Sequence, residues 1–295
     1  MLSSPGTDND RSGVRDDPSD WEIAVPSERS RSTMLEGLFG RRDIRMAGFR
    51  VGELRGLTMV PHPAATLFLS FGVGTPVLRS ENQSLSGSIV TGFGHGIGGG
   101  SRAQGTGLDC IQMRLSPRLL PFLVDVSADD LATGAVSVAD LAVRRFELLT
   151  ERIHHAKSWD ERFSVLDSWL DHHLGDVHPP DPVVRWAWER IRASHGRVGV
   201  DDLAAEVGWS RKRLWARFRA DFGLSPKRAA RIVRFDDAVH RLVGGTGSAQ
   251  VAAEAGFADQ PHLVREIRSV SGVTPVGVQS EPFLTVDDTA WPRSG

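Results

Sequence analysis

Leu203-Ala-Ala-Glu-Val-Gly-Trp209 and Val251-Ala-Ala-Glu-Ala-Gly-Phe257 are one pattern written twice, 48 residues apart. Each copy is a short helical stretch that ends at a glycine, with an aromatic residue next. Glycine suits that position because the chain must turn sharply, and glycine enters the left-handed region without a Cβ penalty. The aromatic residue is expected to plug the space between two helices.

The likeness continues at an offset of 49, one residue having entered the second turn. Leu214, Phe218, Gly223, Ser225 and Pro226 correspond to Leu263, Ile267, Gly272, Thr274 and Pro275. Proline cannot continue a helix and pushes the residue before it into an extended conformation, so both second helices stop at Gly-x-Ser/Thr-Pro. Each copy is therefore helix, turn of about 3–4 residues, helix, stop, the helix-turn-helix pattern. A helical solenoid would also repeat, but it needs at least ~3 copies to be stable, and two are visible.

A helical wheel at 100° per residue separates the faces of the second helices. In the first copy Leu214, Phe218 and Phe222 fall together, with Lys212, Arg213, Ala216, Arg219 and Ala220 opposite. In the second copy Leu263, Ile267 and Val270 face inward, and His262, Arg265, Arg268 and Ser269 face outward. Arg and Lys reach guanine edges or phosphates, and small residues let a helix sit deep in the major groove. Ser210 and Asp259 are the expected N-caps. They place Arg211, Lys212, Gln260 and His262 in first turns, where base edges are met.

Working outward, Gly175-Asp-Val-His-Pro-Pro-Asp-Pro182 reads as a stiff linker and domain boundary. Charge divides near it. Pro182–Ser280 holds 16 Lys+Arg against 10 Asp+Glu, whereas Met1–Asp181 holds 18 against 24. A basic module joined to an acidic one fits a nucleic-acid reader with a separate sensor or assembly domain.

Before the linker, short strands separated by glycines are expected at Arg45–Leu54, Thr66–Phe71, Ser88–Gly92 and Asp109–Leu115, with the alternation of a half-buried strand at Thr66–Phe71 and Ile111–Leu115. Gly92–Gly107 has eight glycines in sixteen residues and is expected to be a loop. It contains no GxxxxGK[ST], so a nucleotide site is not expected there. Ser116 is the expected N-cap of a helix with Pro117 at its first position. Two more helices are expected at Val138–Ala156 and Trp159–Leu174.

Met1–Asp20 is polar and Gly/Pro-rich and is expected to be disordered. It lacks the apolar stretch of a secretory signal. No apolar run approaches the ~20 residues of a membrane span. Cys110 is the single cysteine, which excludes an internal disulfide and a multi-Cys zinc site and fits a reducing, cytoplasmic setting. A buried inert thiol is the expected reading, with a nucleophile as its rival. His154, His155, His172, His173 and His178 cluster in sequence, but adjacent histidines on a helix point ~100° apart, so exposed faces are expected rather than a metal site.

Glu254-Ala-Gly-Phe-Ala-Asp-Gln-Pro-His-Leu-Val-Arg265, followed by Gly272-Val-Thr-Pro275, resembles the signature of AraC/XylS transcription factors. Ser225-Pro-Lys-Arg-Ala-Ala-Arg-Ile-Val-Arg-Phe235 resembles the helix that joins their two units. The resemblance covers Pro182–Val278 and implies an all-α, seven-helix double helix-turn-helix domain. It implies base-reading roles for Lys212, Trp215 and Ala216, and for Gln260, His262 and Arg265. Ile111–Pro117 and Trp159–Phe163 are similar to an actinobacterial-type subset with an uncharacterised N-terminal domain.

The expected architecture is α+β: a disordered segment (1–20), a mainly antiparallel sensor or dimerisation domain with trailing helices (21–175), a linker (176–181), the DNA-binding domain (182–280) and a C-terminal tail (281–295). The expected DNA-binding set is Arg211, Lys212, Arg213, Trp215, Ala216, Arg219, Gln260, His262, Arg265 and Arg268. The expected partners are double-stranded DNA, a second copy of the chain, a small-molecule effector and RNA polymerase, with no membrane, cofactor or metal and no catalysis. Two rivals remain: an alkyltransferase-like enzyme fused to the same domain, with Cys110 as acceptor, and a helix-turn-helix adaptor that binds protein.

Overall fold

The computed structural model describes residues 18–27, 44–81, 83–95, 100–124, 126, 134–141, 144–175 and 181–291. The expectations for residues 1–17, most of the linker (176–180), His178 and residues 292–295 lie outside them.

The N-terminal half is built on two long strands. β2 (Ile44–Met59) pairs antiparallel with β7 (Ser101–Leu115), with Gly48 opposite Ile111 and a register shift between Leu54 and Leu57. Around them lie β1 (Glu22–Ala24), β3 (Ala65–Ser70), β4 (Val77–Arg79), β5 (Ser84–Ser86), β6 (Ile89–Thr91) and β8 (Ala135–Ser137). The order is β1-β2-β7-β3-β6-β8, with β4 bridging β7 and β5. All pairings described are antiparallel.

Three sequence expectations are corrected here. Residues 101–107 of the glycine stretch are strand rather than loop, because they complete the pairing of β7 with β2 and β4. The helix expected over Val138–Ala156 begins only at Arg144, because the chain leaves β8 at Ser137 and first makes a 3-10 turn at Ala139–Leu141. Ser116 makes no side-chain cap bond; Pro117–Leu119 is a 3-10 turn leading into α1 (Leu120–Val124).

Alternation along the strands gives the sheet two buried faces. Met46, Leu67, Leu69, Ile111, Met113 and Leu115 pack against α1, α2 (Arg144–His155) and α3 (Trp159–Leu174). Trp159 lies so close to the sheet that a Cβ on Gly48 would stand 2.3 Å from its ring. The other face carries Ala47, Phe49, Val51, Leu108 and Cys110 and packs against the C-terminal half. Each fully buried side chain of Leu, Phe or Met size contributes ~1.5–3 kcal/mol.

The C-terminal half has α4 (Pro182–Ala193), α5 (Val200–Glu206), α6 (Arg211–Phe222), α7 (Pro226–Val243), α8 (Ser248–Glu254), α9 (Gln260–Ser271) and α10 (Pro275–Gln279). These are the seven helices expected. The stretch expected to be a tail contains a further helix, α11 (Pro282–Ala290), whose Leu284, Val286 and Ala290 are buried, as is Trp291 after it. Its apolar residues join the cluster shared by the sheet and α7. Both halves of the chain thus pack on one another. Phe93, from the glycine stretch, is also buried edge-on to Trp188 of α4, with ring centroids 5.3 Å apart.

Candidate nucleic-acid interface

The two units are built by the same local rules. Gly208 and Gly256 have φ of 65° and 75°, the left-handed turn that the repeat predicts. Ser210 accepts a hydrogen bond from the Arg213 backbone N–H, and Asp259 from that of His262, so both expected N-caps are made. Both second helices end at a left-handed glycine, Gly223 and Gly272. Leu214, Phe218 and Phe222 are buried in one unit, and Leu263, Ile267 and Val270 in the other. The inward faces are those of the helical wheel.

The aromatic plugs differ. Phe257 is buried, whereas Trp209 is only half-buried, with the Arg213 guanidinium 4.2 Å from its ring centroid. Trp209 therefore has a second role as a platform for a cation of the outward face.

That outward face is exposed in both units. On α6, Arg211, Lys212, Arg213, Trp215, Ala216 and Arg219 all lie open to solvent. Arg211 reaches Asp201 at 3.0 Å, and the Arg219 guanidinium lies over the Trp215 ring at 5.2 Å. On α9, Gln260, Arg265 and Arg268 are exposed and His262 is half-buried. The His262 Nδ1 accepts a hydrogen bond from the Ala258 N–H, which puts the proton of the neutral ring on Nε2. Arg265 Nε donates to the Pro261 carbonyl at 3.2 Å, which aligns its side chain along the helix. Ten candidate residues thus gather on two matching helix faces, nine of them exposed and one half-buried.

Between the faces lies a set of cations absent from the sequence expectation. Lys227, Arg228, Arg231 and Arg234 occupy one side of the first half of α7. With Ser225 and Glu266 they line an open cleft of about 470 Å³. The signal was the i, i+1, i+4, i+7 spacing of the basic residues among buried Ala229, Ala230, Ile232 and Val233.

Other chemistry is constrained. Cys110 is buried among Ala47 and Phe49, and burial, helped by the Asp109 charge, pushes its thiol well above the usual range. His154, His155 and His172 are carried on helix surfaces, while His173 is tucked against Trp169 at 4.2 Å. Among the described residues no group of three His, Cys, Asp or Glu is placed to hold a metal ion, and no helix is long and apolar enough to cross a membrane.

The family model described as a helix-turn-helix domain matches residues 203–280. Among solved structures, ToxT from Vibrio cholerae O395 is 12% identical over 83% of this chain and 98% of its own, with a TM-score of 0.46. A probable AraC family transcriptional regulator from Rhodopseudomonas palustris CGA009 is 27% identical over 35% of this chain and 98% of its own, with a TM-score of 0.31. No curated protein matches the chain. The doubled unit, its caps and glycines, the signature from Glu254 to Pro275 and the family match together make residues 203–280 a helix-turn-helix domain of the AraC/XylS type, and the chain a DNA-binding transcription regulator.

Proposed function

We propose that the chain is a sequence-specific regulator that reads promoter DNA with two recognition helices, α6 and α9. The observation that carries this reading is the equivalence of the two outward faces: same place in the repeat, same capping, both open to solvent except for half-buried His262, each rich in Arg, Lys or His. Lys212, Trp215 and Ala216 in one unit and Gln260, His262 and Arg265 in the other are the base readers. Arg211, Arg213, Arg219 and Arg268 flank them as further contacts. The joining helix α7, at 18 residues, spans ~27 Å. With the widths of the flanking units this approaches the ~34 Å between major grooves one turn apart.

The acidic N-terminal domain is the place for a second copy of the chain and for a small-molecule effector, and contact with RNA polymerase completes the regulatory reading in the cytoplasm. The reading is non-enzymatic, supported by the burial of Cys110, which denies the alkyltransferase rival an accessible thiolate.

The test is footprinting of the whole chain on a site it selects from a randomised duplex pool. Two protected patches ~10 base pairs apart per protomer are expected. A single patch, untouched by changes at Lys212, would leave only the second unit reading DNA. Failure to select any duplex would favour the protein-binding adaptor.

A further inference from the structure

We propose that the cleft at the start of α7 is a phosphate clamp, which grips the DNA backbone where it passes between the two major grooves. This rests on the reading of α6 and α9 as recognition helices. The cleft holds four cations, Lys227, Arg228, Arg231 and Arg234, against one carboxylate, Glu266. It also contains a helix N-terminus. Ser225 caps it by accepting from the Arg228 N–H, Pro226 brings no N–H of its own, and the Lys227 N–H stands in the first turn with the positive end of the helix dipole.

The arrangement is held rigidly. Arg231 donates two hydrogen bonds to Glu266, at 2.6 and 3.2 Å, and one to Ser269 at 2.9 Å, so it ties α7 to α9. The Arg234 guanidinium lies 4.9 Å from the Phe257 ring centroid, and its Nε is buried with no acceptor among the described residues. Burial and the neighbouring Arg231 charge both disfavour the cation at Arg228. A concave cluster of cations with crowded charge is completed by an anion.

Location selects the anion. One wall of the cleft is α9, whose Arg265 and Arg268 belong to the reading face, and α7 is the element that spans the two units. A duplex laid across α6 and α9 must carry its sugar–phosphate backbone over this segment, because adjacent major grooves are separated by a minor groove and its strands. Such contacts fix position and register rather than sequence.

The test compares wild type with Lys227→Ala/Arg228→Ala and with Glu266→Gln, all as whole chains, on a random-sequence duplex and on the selected site. The slope of log affinity against log salt should shrink by ~0.9 for each phosphate no longer neutralised, ~2 for the double variant. Affinity should fall by the same factor on both duplexes. Glu266→Gln removes the competing carboxylate and should steepen the slope, a gain that misfolding does not produce. Wild-type binding with slopes unchanged in both variants would overturn the clamp and leave the recognition helices standing. A fall in affinity confined to the selected site would also overturn it, by making Lys227 and Arg228 base readers. Stabilisation of the wild type by inorganic phosphate alone, abolished in the double variant while DNA slopes stay unchanged, would overturn it in favour of a small-anion site. Absence of wild-type binding to any duplex would sink the recognition reading itself.

Discussion

Replacing Asp287 with Ala should destabilise the whole chain by ~3–5 kcal/mol, the range for removing one partner of a buried ion pair. Asp287 is 5% exposed on α11 and hydrogen-bonds to Arg114 of β7, itself 8% exposed. On its other oxygen it meets His240 Nε2 of α7 at 3.0 Å, while His240 Nδ1 donates to the Asp236 carbonyl at 2.7 Å. One carboxylate thus joins the sheet, the joining helix and the last helix. Arg114 and Arg45 both lie over the Trp291 ring, at 4.6 and 5.4 Å, so a second cation stands close by, and burial brings Arg45 down to about 10. Without Asp287 the buried Arg114 and the half-buried Arg45 would face one another. Burial alone would raise the Asp287 carboxyl, but the Arg114 charge and the hydrogen bonds from His240 and Arg114 hold it well below the usual carboxylate range. Because its folded value is depressed, its stabilisation is present above the unfolded value of ~3.9 and is lost as pH falls below it. At neutral pH the variant should melt on the order of 10 °C lower by calorimetry, at ~2–4 °C per kcal/mol for a chain of this size. The double change Arg114→Met with Asp287→Leu should recover part of the stability, since it removes the Arg114 cation together with its carboxylate and leaves only His240 Nε2 without its acceptor. A single variant that melts with wild type, or a double variant no better than the single, would refute the reasoning.

Arg265→Ala should weaken binding to the selected site by ~1–3 kcal/mol and leave random duplex nearly unaffected, by fluorescence anisotropy; an equal effect on both would demote Arg265 to a phosphate contact. Phe257→Ala should cost ~3–5 kcal/mol in denaturant unfolding and Trp209→Ala about half as much, because only Phe257 is buried; the reverse order would contradict the plug assignment. Gly48→Ala should cost ~1–3 kcal/mol, since the new methyl meets the Trp159 ring, and an unchanged midpoint would mean the ring moves aside. Burial holds His95 down at about 4, so the folded chain refuses a proton that the unfolded chain accepts from pH ~6.5 downward. Stability should therefore fall by on the order of 3 kcal/mol as pH drops between those values, and His95→Gln should flatten that limb.

The DNA-binding half is legible in the sequence because its signals are local. Gly208 and Gly256 mark left-handed turns, Ser210 and Asp259 cap their own helices, and a period of 3.6 sorts Leu214 and Phe218 from Lys212 and Arg219 within a single helix. None of this needs the rest of the chain. The N-terminal half is harder, because strand length depends on partners. Residues 101–107 look like a loop by composition, and become strand only because β2 is long enough to pair with them. Val138 opens a helical period, but its N–H is held by the Ser88 carbonyl as the chain leaves β8, so the helix starts later. The basic side of α7 is visible as spacing but lacks a meaning until Glu266, distant in sequence, closes the cleft opposite it. The end of the chain hides its helix for a similar reason. Leu284, Val286 and Trp291 are few, and their burial requires the sheet and α7 as neighbours.

The burial of α11 changes how the two helix-turn-helix units relate to the rest of the molecule. The repeat treats them as equals, but their cores are not. The first unit packs around Trp188, Leu203, Leu214, Phe218 and Phe222, and among the described residues its cluster takes Phe93 from the N-terminal half. The second unit shares one continuous cluster with Ala47, Phe49 and Val51 of β2 through Leu284, Val286 and Trp291. Thr58 also donates to Glu281 at 3.1 Å, and a Cβ on Gly100 would stand 3.0 Å from the Ser271 carbonyl oxygen at the end of α9. A fragment cut at Pro182 and Val278, which the repeat alone presents as self-sufficient, would bare the apolar side of α7 that α11 covers. The first unit keeps most of its core in such a fragment, and the second loses part of its own. Two matching outward faces thus stand on unequal supports: the core of α9 is continuous with the sheet and α11, and that of α6 is not.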